Sequence, residues 1–376
     1  VRTMKSIKRD RLILLSVFII LIVFGNYMVY SASNVWANYK FNDSFYYLKR
    51  QILFSVTGFI SAILVSRIPS SFLKKYALSF VVISLLLLAL VLIPGIGLKR
   101  NGSRSWFGIG SFAIQPSEIF KIALVIYCAY RLNDHYEETK SIKGFLGIIL
   151  LTVLGFILIM LQPDFGTAIV MLMSVVLLLF TSKLPLKYFI IMGVLGVVMM
   201  VVLILIAPYR FDRILSYFDP WSDPLGSGFQ IIQSMYAMGP GALLGKGILN
   251  SYQKHFYLPE PQTDFIFSIV VEEFGLIGGL LLLVLFAMLF YFGFRYAKNM
   301  EDPFDTFLIT GLLGVILIQV IINLGVVVAL FPVTGITLPF ISYGGSSLSV
   351  TMFSLGLILS RGRKENEYAH SLRRVR

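Results

Sequence analysis

The chain has 376 residues, 57% of them hydrophobic and only 14% charged, with a mean hydropathy of +0.84. Ordinary soluble domains carry roughly 25% charge, so this composition excludes a secreted soluble enzyme, a nucleic-acid-binding domain and a disordered tail, and points to a polytopic membrane protein. The formal charge of +13 therefore belongs to membrane orientation and to anionic lipid, not to nucleic acid.

In chain order, apolar stretches fall at Leu12–Ala32, Ile52–Ser66, Tyr76–Ile93, Phe112–Tyr130, Phe145–Leu161, Phe165–Thr181, Tyr188–Ala207, Phe265–Phe294, Phe304–Phe331 and Gly344–Ser360, which predicts an all-α fold of about ten transmembrane helices. The second and last are short, and Arg50, Arg67 and Arg361 are expected to snorkel to the interface. An even number of spans puts both termini on one side. With the termini inside, the inner segments hold 21 Lys and Arg and the outer segments 10, with Lys121 inside a span, so the positive-inside rule predicts cytoplasmic termini. Residues 1–376 then form a single transmembrane domain, with a large extracytoplasmic loop at about 208–263 between the seventh and eighth spans and a cytoplasmic tail at about 361–376.

The first span follows a basic stretch but lacks a small-residue cleavage site, and reads as an anchor. Cys128 is the only cysteine and sits in the fourth span, so no disulfide or thiolate cluster is expected. His135, His255 and His370 have no ligand spacing. There is no 20–50-residue repeat and no inverted symmetry of the transporter kind.

A charge in the bilayer costs at least about 2.5–3.5 kcal/mol, so the polar exceptions to the apolar pattern carry the functional signal. Glu118 and Lys121, at i, i+3 near one end of the fourth span, can reach each other. They read either as a packing pair or as part of a polar cavity, and the cost of an intramembrane Lys favours the cavity. Asp164, in the turn Gln162-Pro163-Asp164-Phe165-Gly166-Thr167, can either cap the following helix or belong to a site. The run Tyr257-Leu258-Pro259-Glu260-Pro261-Gln262-Thr263-Asp264-Phe265 leads into an apolar stretch of 30 residues, about 45 Å as helix, so its first turns are expected to stand outside the membrane. Asp264, Ser268 and Glu272 recur at i, i+4, i+8 and would line one strip there, beyond what an N-cap at Thr263 or Asp264 explains. Gly241-Ala242-Leu243-Leu244-Gly245-Lys246-Gly247 resembles a phosphate loop but is one residue short between glycines and lacks the Ser or Thr that holds magnesium, so a nucleotide site is rejected. Gln319 and Asn323, deeper in the ninth span, are read as hydrogen-bonding partners of neighbouring helices.

Six further motifs occur in order: Asn101-Gly102-Ser103-Arg104-Ser105-Trp106; Gln115-Pro116-Ser117-Glu118-Ile119-Phe120-Lys121; the Gln162–Thr167 turn; Gly245-Lys246-Gly247; Leu258–Phe265; and Pro332-Val333-Thr334-Gly335 with Leu338-Pro339-Phe340-Ile341-Ser342-Tyr343-Gly344-Gly345-Ser346. With these, nearly the whole chain resembles the SEDS family (shape, elongation, division and sporulation), which contains FtsW, RodA and SpoVE. Glu260-Pro261-Gln262 before Thr263-Asp264, and the doubled Ser346-Ser347, resemble the FtsW and SpoVE branch more than RodA.

The resemblance implies an inverting peptidoglycan glycosyltransferase that polymerises lipid II on the outer face of the bacterial cytoplasmic membrane, at the division septum or elsewhere in wall synthesis, beside a class B penicillin-binding protein and other divisome or elongation proteins. Within it, Asp264 is the candidate base that removes the acceptor hydroxyl proton, Lys121 stabilises the pyrophosphate, and Glu118 holds Lys121. Arg104, Trp106, Asp164, Arg210, Arg213, Lys246, Glu272 and Ser342 are candidate substrate-binding residues. No resident cofactor is assigned from the sequence. A divalent cation, Mg2+ or Mn2+, would share the pyrophosphate with Asp264, although the sequence has no dedicated oxygen cage. Two other readings stay open: a lipid II flippase, which would place polar groups at mid-span, and a non-catalytic scaffold recruiting the transpeptidase, which would not need Glu118, Lys121 and Asp264.

Overall fold

A computed structural model describes residues 2–100, 102–109, 112–206, 219–226 and 228–361. The first helix, α1 (Arg2–Phe41), runs 40 residues, roughly 60 Å at 1.5 Å each, well beyond its apolar stretch at both ends. Helices α2 (Tyr46–Val65), α3 (Ser70–Lys75) and α4 (Ala77–Leu90) follow. Next come α5 (Pro116–Asp134), α6 (Tyr136–Thr139), α7 (Ile142–Leu161), α8 (Phe165–Thr181) and α9 (Leu186–Ile206). The last four are α10 (Phe229–Gly241), α11 (Ile266–Lys298), α12 (Pro303–Val327) and α13 (Gly345–Ser360). Each predicted apolar stretch falls on one of these helices. Among the described residues, α1, α2, α7, α11 and α12 are long and apolar enough to cross a membrane, while α4, α8 and α13 are shorter apolar helices.

Burial sorts the helices into layers. Helix α5 is buried along nearly its whole length and packs against α4, α8 and α12, whereas α9 and the outward faces of α2 and α4 are exposed, as expected of surfaces that meet lipid. The central pair α5 and α12 therefore carries Glu118, Lys121, Gln319 and Asn323 into the middle of the bundle.

Three expectations are corrected. The all-α class holds, but the segment before the fourth span forms a small antiparallel sheet, β1 (Leu98–Arg100), β2 (Ser103–Ile109) and β3 (Phe112–Ile114), in register Leu98 with Trp106 and Phe107 with Ile114. The fourth helix accordingly starts not at Phe112 but at Pro116, whose missing N–H costs nothing in a first turn. The loop at 208–263 contains α10, whose Ile231 and Ile232 are buried and whose Ser234 Oγ donates to Val327 O at 2.8 Å. Finally, α11 is not one continuous rod.

Gly275 breaks α11 with φ +69° and ψ −171°, a conformation that glycine alone adopts without strain. A break inside an apolar bundle strands backbone groups that lipid cannot satisfy. The 242–247 segment supplies their partners: Lys246 N and Gly247 N donate to Glu272 O and Glu273 O at 2.9 and 3.0 Å, and Leu276 N and Ile277 N donate to Ala242 O and Leu243 O at 2.9 and 3.2 Å. The segment that resembles a phosphate loop is thus the stitch across a helix break, and a Cβ at Gly245 would sit 2.2 Å from Glu273 O. At the other end of the bundle Arg361 is 4% exposed, donating to Ser70 Oγ and Ile68 O at 2.7 and 2.8 Å, so it locks α13 against the α2–α3 turn instead of snorkelling.

Candidate active site

At the end of the bundle where α2, α5, α8 and α13 begin lies a cavity of about 1470 Å³. Its wall includes Trp106, Glu118, Lys121, Asp164 and Asp264, five of the residues singled out from the sequence. The order of their assembly follows from the local structure of each.

Lys121 Nζ donates to Glu118 Oε1 at 2.8 Å one helical turn away, and to Gln319 Oε1 on α12 at 3.4 Å, with Glu118 and Lys121 only 5% and 3% exposed. Gln319 Nε2 in turn donates to Thr337 O and Ser347 Oγ at 3.3 and 3.4 Å. Asp164 does both things that its position allows: Oδ1 accepts from Thr167 N at 3.1 Å, capping α8, while Oδ2 accepts from the Gln115 side chain at 2.7 Å on the cavity wall. Burial pushes its carboxyl above the usual range.

Asp264 is held differently. The cap position of α11 falls at Phe265 and no side chain caps that helix, so Asp264 is not consumed as a cap. Its backbone is fixed instead, with its carbonyl accepting from Asn323 Nδ2 at 2.7 Å while Asn323 also reaches Ile336 O at 2.6 Å. Ser342 Oγ donates to the neighbouring Thr263 O at 2.6 Å and accepts from Leu338 N at 2.8 Å, and Tyr343 N donates to Gln262 O at 2.8 Å. Gly335, at φ +72°, leaves only 3.7 Å between an added Cβ and Asp264 Oδ2. The main chain is clamped and the carboxylate is left facing the cavity. Among the described residues nothing donates a hydrogen bond to it, and burial, with the negative charge of Glu260 next, pushes its pKa up to about 7.

Other candidates lie elsewhere. The expected strip of Asp264, Ser268 and Glu272 does not form, because Asp264 precedes the helix and the other two face inward. Ser268 Oγ lies 2.8 Å from Ser234 Oγ. Glu272 is fully buried, taking Lys246 Nζ at 3.2 Å, Ser251 Oγ at 2.5 Å and Tyr252 N at 2.8 Å. Lys246 and Glu272 therefore hold the loop rather than line the cavity. Arg104 does not line the cavity: its Nη1 donates to Leu92 O at 3.2 Å, while Trp106 stands in the cavity wall. Ser342 acts on the Thr263 backbone from outside the cavity. Arg210 and Arg213 lie outside the described residues. Gln319 bonds to neighbouring helices as expected, to Lys121 on α5 and Ser347 on α13, and also to Thr337 O, whereas Asn323 bonds to loop backbone at Asp264 and Ile336.

Sequence reasoning missed the cations of the rim, Lys40, Arg50, Lys99 and Arg100, with the aromatic group Tyr46, Tyr47 and Tyr343. The signal was available. Lys49-Arg50 opens the second span and Lys99-Arg100 follows the third, so two cationic doublets sit at the same level. The residues do not make a metal cage: among the described residues no three His, Cys, Asp or Glu side chains gather, and Asp264 has only Glu260 as an acidic neighbour.

A helical membrane bundle with a charged cavity opening at one end is a class with many functions, and the comparisons narrow it. The family model described as cell cycle protein, FtsW/RodA/SpoVE, matches residues 11–367, and the chain belongs to that family. It is 48% identical over 353 residues to stage V sporulation protein E of Bacillus subtilis (strain 168), covering 94% of this chain and 96% of that one. To the probable peptidoglycan glycosyltransferase FtsW of Geobacter metallireducens it is 42% identical over 358 residues, 95% and 96% of the two chains. Among solved structures, a chain from a study of polymerization and crosslinking by a peptidoglycan synthase complex superposes with TM-score 0.75 at 32% identity, covering 93% of this chain and 97% of that one. The crystal structure of the Thermus thermophilus rod shape determining protein RodA gives 0.68 at 29%, with 93% and 96% coverage.

Proposed function

We propose that this chain is a peptidoglycan glycosyltransferase that polymerises lipid II, with Asp264 as the general base. The observation that carries the assignment is a carboxylate whose main chain is clamped from three sides while its side chain meets the cavity without a donor among the described residues. A base with a pKa near 7 matches the working pH and accepts a proton readily. In the reaction, the acceptor sugar hydroxyl attacks the anomeric carbon of the donor, Asp264 takes the hydroxyl proton, and the polyprenyl pyrophosphate leaves with the electrons of the broken glycosidic bond, inverting the configuration. The Glu118 and Lys121 pair, neutral overall, suits a sugar or peptide amide better than the full charge of the pyrophosphate. A divalent ion would share the pyrophosphate with Asp264, since the described residues gather no cage of three His, Cys, Asp or Glu side chains.

The orientation that suits this chemistry has cytoplasmic termini and the cavity on the outer face, supported by the 21 to 10 division of Lys and Arg. The partner that fits is a class B penicillin-binding transpeptidase, working at the septum or at other sites of wall growth. The test is polymer formation from lipid II by the purified chain with its transpeptidase. Polymer from the wild type and none from Asp264→Asn is the expected pair of results. A wild type that translocates lipid II across proteoliposomes but never polymerises it overturns the reading in favour of the flippase. Cysteines placed at positions 252 and 139 after Cys128→Ser check the orientation, with the first expected to react with an impermeant reagent in intact cells and the second not.

A further inference from the structure

Helix α2 buries a polar side chain away from the cavity. Gln51, in its second turn, is 0% exposed although the adjoining Ile52 and Leu53 face outward. Its Nε2 donates to Ser342 O at 3.1 Å, while its Oε1 has no partner among the described residues. A buried amide that leaves its acceptor unpaired costs more than one such bond returns. Stability therefore does not account for a glutamine here, where an apolar residue of that volume would serve the packing better, and the explanation must lie in what the amide holds.

It holds a bridge. Ser342 and Tyr343 lie between α2 and the residues before Asp264, and each is gripped from both directions. On the α2 side, Gln51 takes the Ser342 carbonyl and the Tyr47 ring meets the Tyr343 ring edge-on, 4.9 Å between centroids. On the far side, Ser342 Oγ donates to Thr263 O at 2.6 Å and Tyr343 N to Gln262 O at 2.8 Å. Helix α2 is itself tied to α1 at this level, Asn26 Nδ2 donating to Ser55 Oγ at 3.2 Å and Ser55 Oγ to Gln51 O at 2.8 Å. A series of hydrogen-bonded residues thus runs from α1 through α2 to the peptide that precedes Asp264.

We propose that Gln51 is a positioning residue that sets the place of Asp264 from α2, through Ser342 and Thr263. This rests on the reading of Asp264 as the base, so the test includes a readout that needs no activity. In the full chain in nanodiscs, Gln51→Met keeps the volume and removes both the donor and the unpaired acceptor, and the melting temperature is expected to hold within about 3 °C. Hydrogen exchange at the Tyr343 amide should quicken severalfold, because the bridge loses its tie to α2. With the transpeptidase and lipid II, kcat should fall roughly 3- to 10-fold, the worth of one hydrogen bond, at unchanged KM. Gln51→His, whose Nε2 reaches about as far as the amide nitrogen, should recover part of both. Thr57→Val, which removes a hydroxyl bonded to Leu53 O of the same helix, should change neither. Unchanged kcat, or unchanged exchange, in Gln51→Met overturns the proposal. So does a loss of activity that only follows a lower melting temperature, which marks a structural glutamine, or a rise in KM at constant kcat, which makes Gln51 part of the binding surface. If Gln51→Met does not fold, Gln51→Asn, which keeps the amide but withdraws it from Ser342 O, carries the same expectations. A wild type that makes no polymer, while exchange still answers to Gln51→Met, sinks the base reading and leaves the tie between α2 and the bridge standing.

Discussion

Two groups of buried acids flank the start of α11, and they are built on opposite principles. In the loop stitch, Glu272 and Glu273 are saturated: Glu272 takes Lys246, Ser251 and two backbone amides, and Glu273 takes Ser31 Oγ at 2.6 Å and Lys254 Nζ at 3.3 Å. In the cavity, the Asp264 carboxylate takes no hydrogen bond from the described residues, although its backbone is tied as firmly as theirs. A saturated carboxylate has no capacity left for a substrate proton and serves to hold structure. An unsaturated one held in place retains that capacity, at a cost that the rest of the fold must offset. Charge does not separate the two groups; the number of donors each has received from the described residues does.

The largest effect expected from breaking this contrast is on rate. Asp264→Asn keeps the shape and removes the base, and should lower polymerisation by roughly 10²–10⁴-fold without impairing insertion or lowering thermal stability, measured as glycan product and melting temperature on one preparation. Full synthesis by a well-folded variant would remove Asp264 from the mechanism. The stitch should behave inversely. Glu273→Gln leaves Lys254, itself 3% exposed, without its counter-charge, and removing one partner of a buried pair costs about 3–5 kcal/mol. The expected outcome is a large fall in denaturation midpoint, with activity per folded molecule largely kept. Loss of activity at unchanged stability would place Glu273 in the chemistry.

Much of this was legible in the sequence where the bilayer makes one rule dominate. A charge in an apolar run is costly enough to be conspicuous, which is why Glu118, Lys121 and Asp264 stand out from composition alone. Where short-range geometry decides, the pattern misled. The i, i+4, i+8 spacing of Asp264, Ser268 and Glu272 is sound on an unbroken helix, but Asp264 lies before the first turn, and the helix faces its carboxylates into a loop that only tertiary contact brings there. The break at Gly275 has no local signal, since a single glycine in an apolar helix is ordinary. Arg50 and Arg100 were hidden because cations at span ends read as orientation signals, and only the sheet, built from a segment counted as loop, brings the second doublet beside the first.

A smaller effect, of about tenfold, should appear on changing pH. With the pKa of Asp264 near 7, the ionised base grows from about a tenth to about nine tenths between pH 6 and 8, so activity should rise through that window. Stability runs the other way. The folded pKa lies above the ordinary carboxylate value, so the contribution of this residue to folding is fully present below about pH 3.8 and is lost as pH rises through about 7. Asp264→Asn should abolish this component, and above pH 7 it should melt higher than the wild type. An activity profile in the wild type that is flat across pH 6–8, with chemistry rate-limiting, would dissociate the base from this carboxylate.

The smallest effect sharpens the distinction between holding a base and being one. Ser342 touches no part of the cavity, yet its hydroxyl ties Leu338 N and Thr263 O, and so sets where the residue after Thr263 stands. Ser342→Ala removes both bonds from a buried position, at about 0.5–1.5 kcal/mol for each bond, so a fall of a few degrees in melting temperature is expected whatever the role of the cavity. A purely structural serine would do no more than that. A serine that positions Asp264 should also lower kcat severalfold with little change in KM, because the base loses its alignment while the binding surface remains, and Ser342→Thr should recover part of it by restoring the hydroxyl. If kcat is unchanged at the reduced melting temperature, the clamp on Thr263 serves the fold alone, and the placement of Asp264 rests on Asn323.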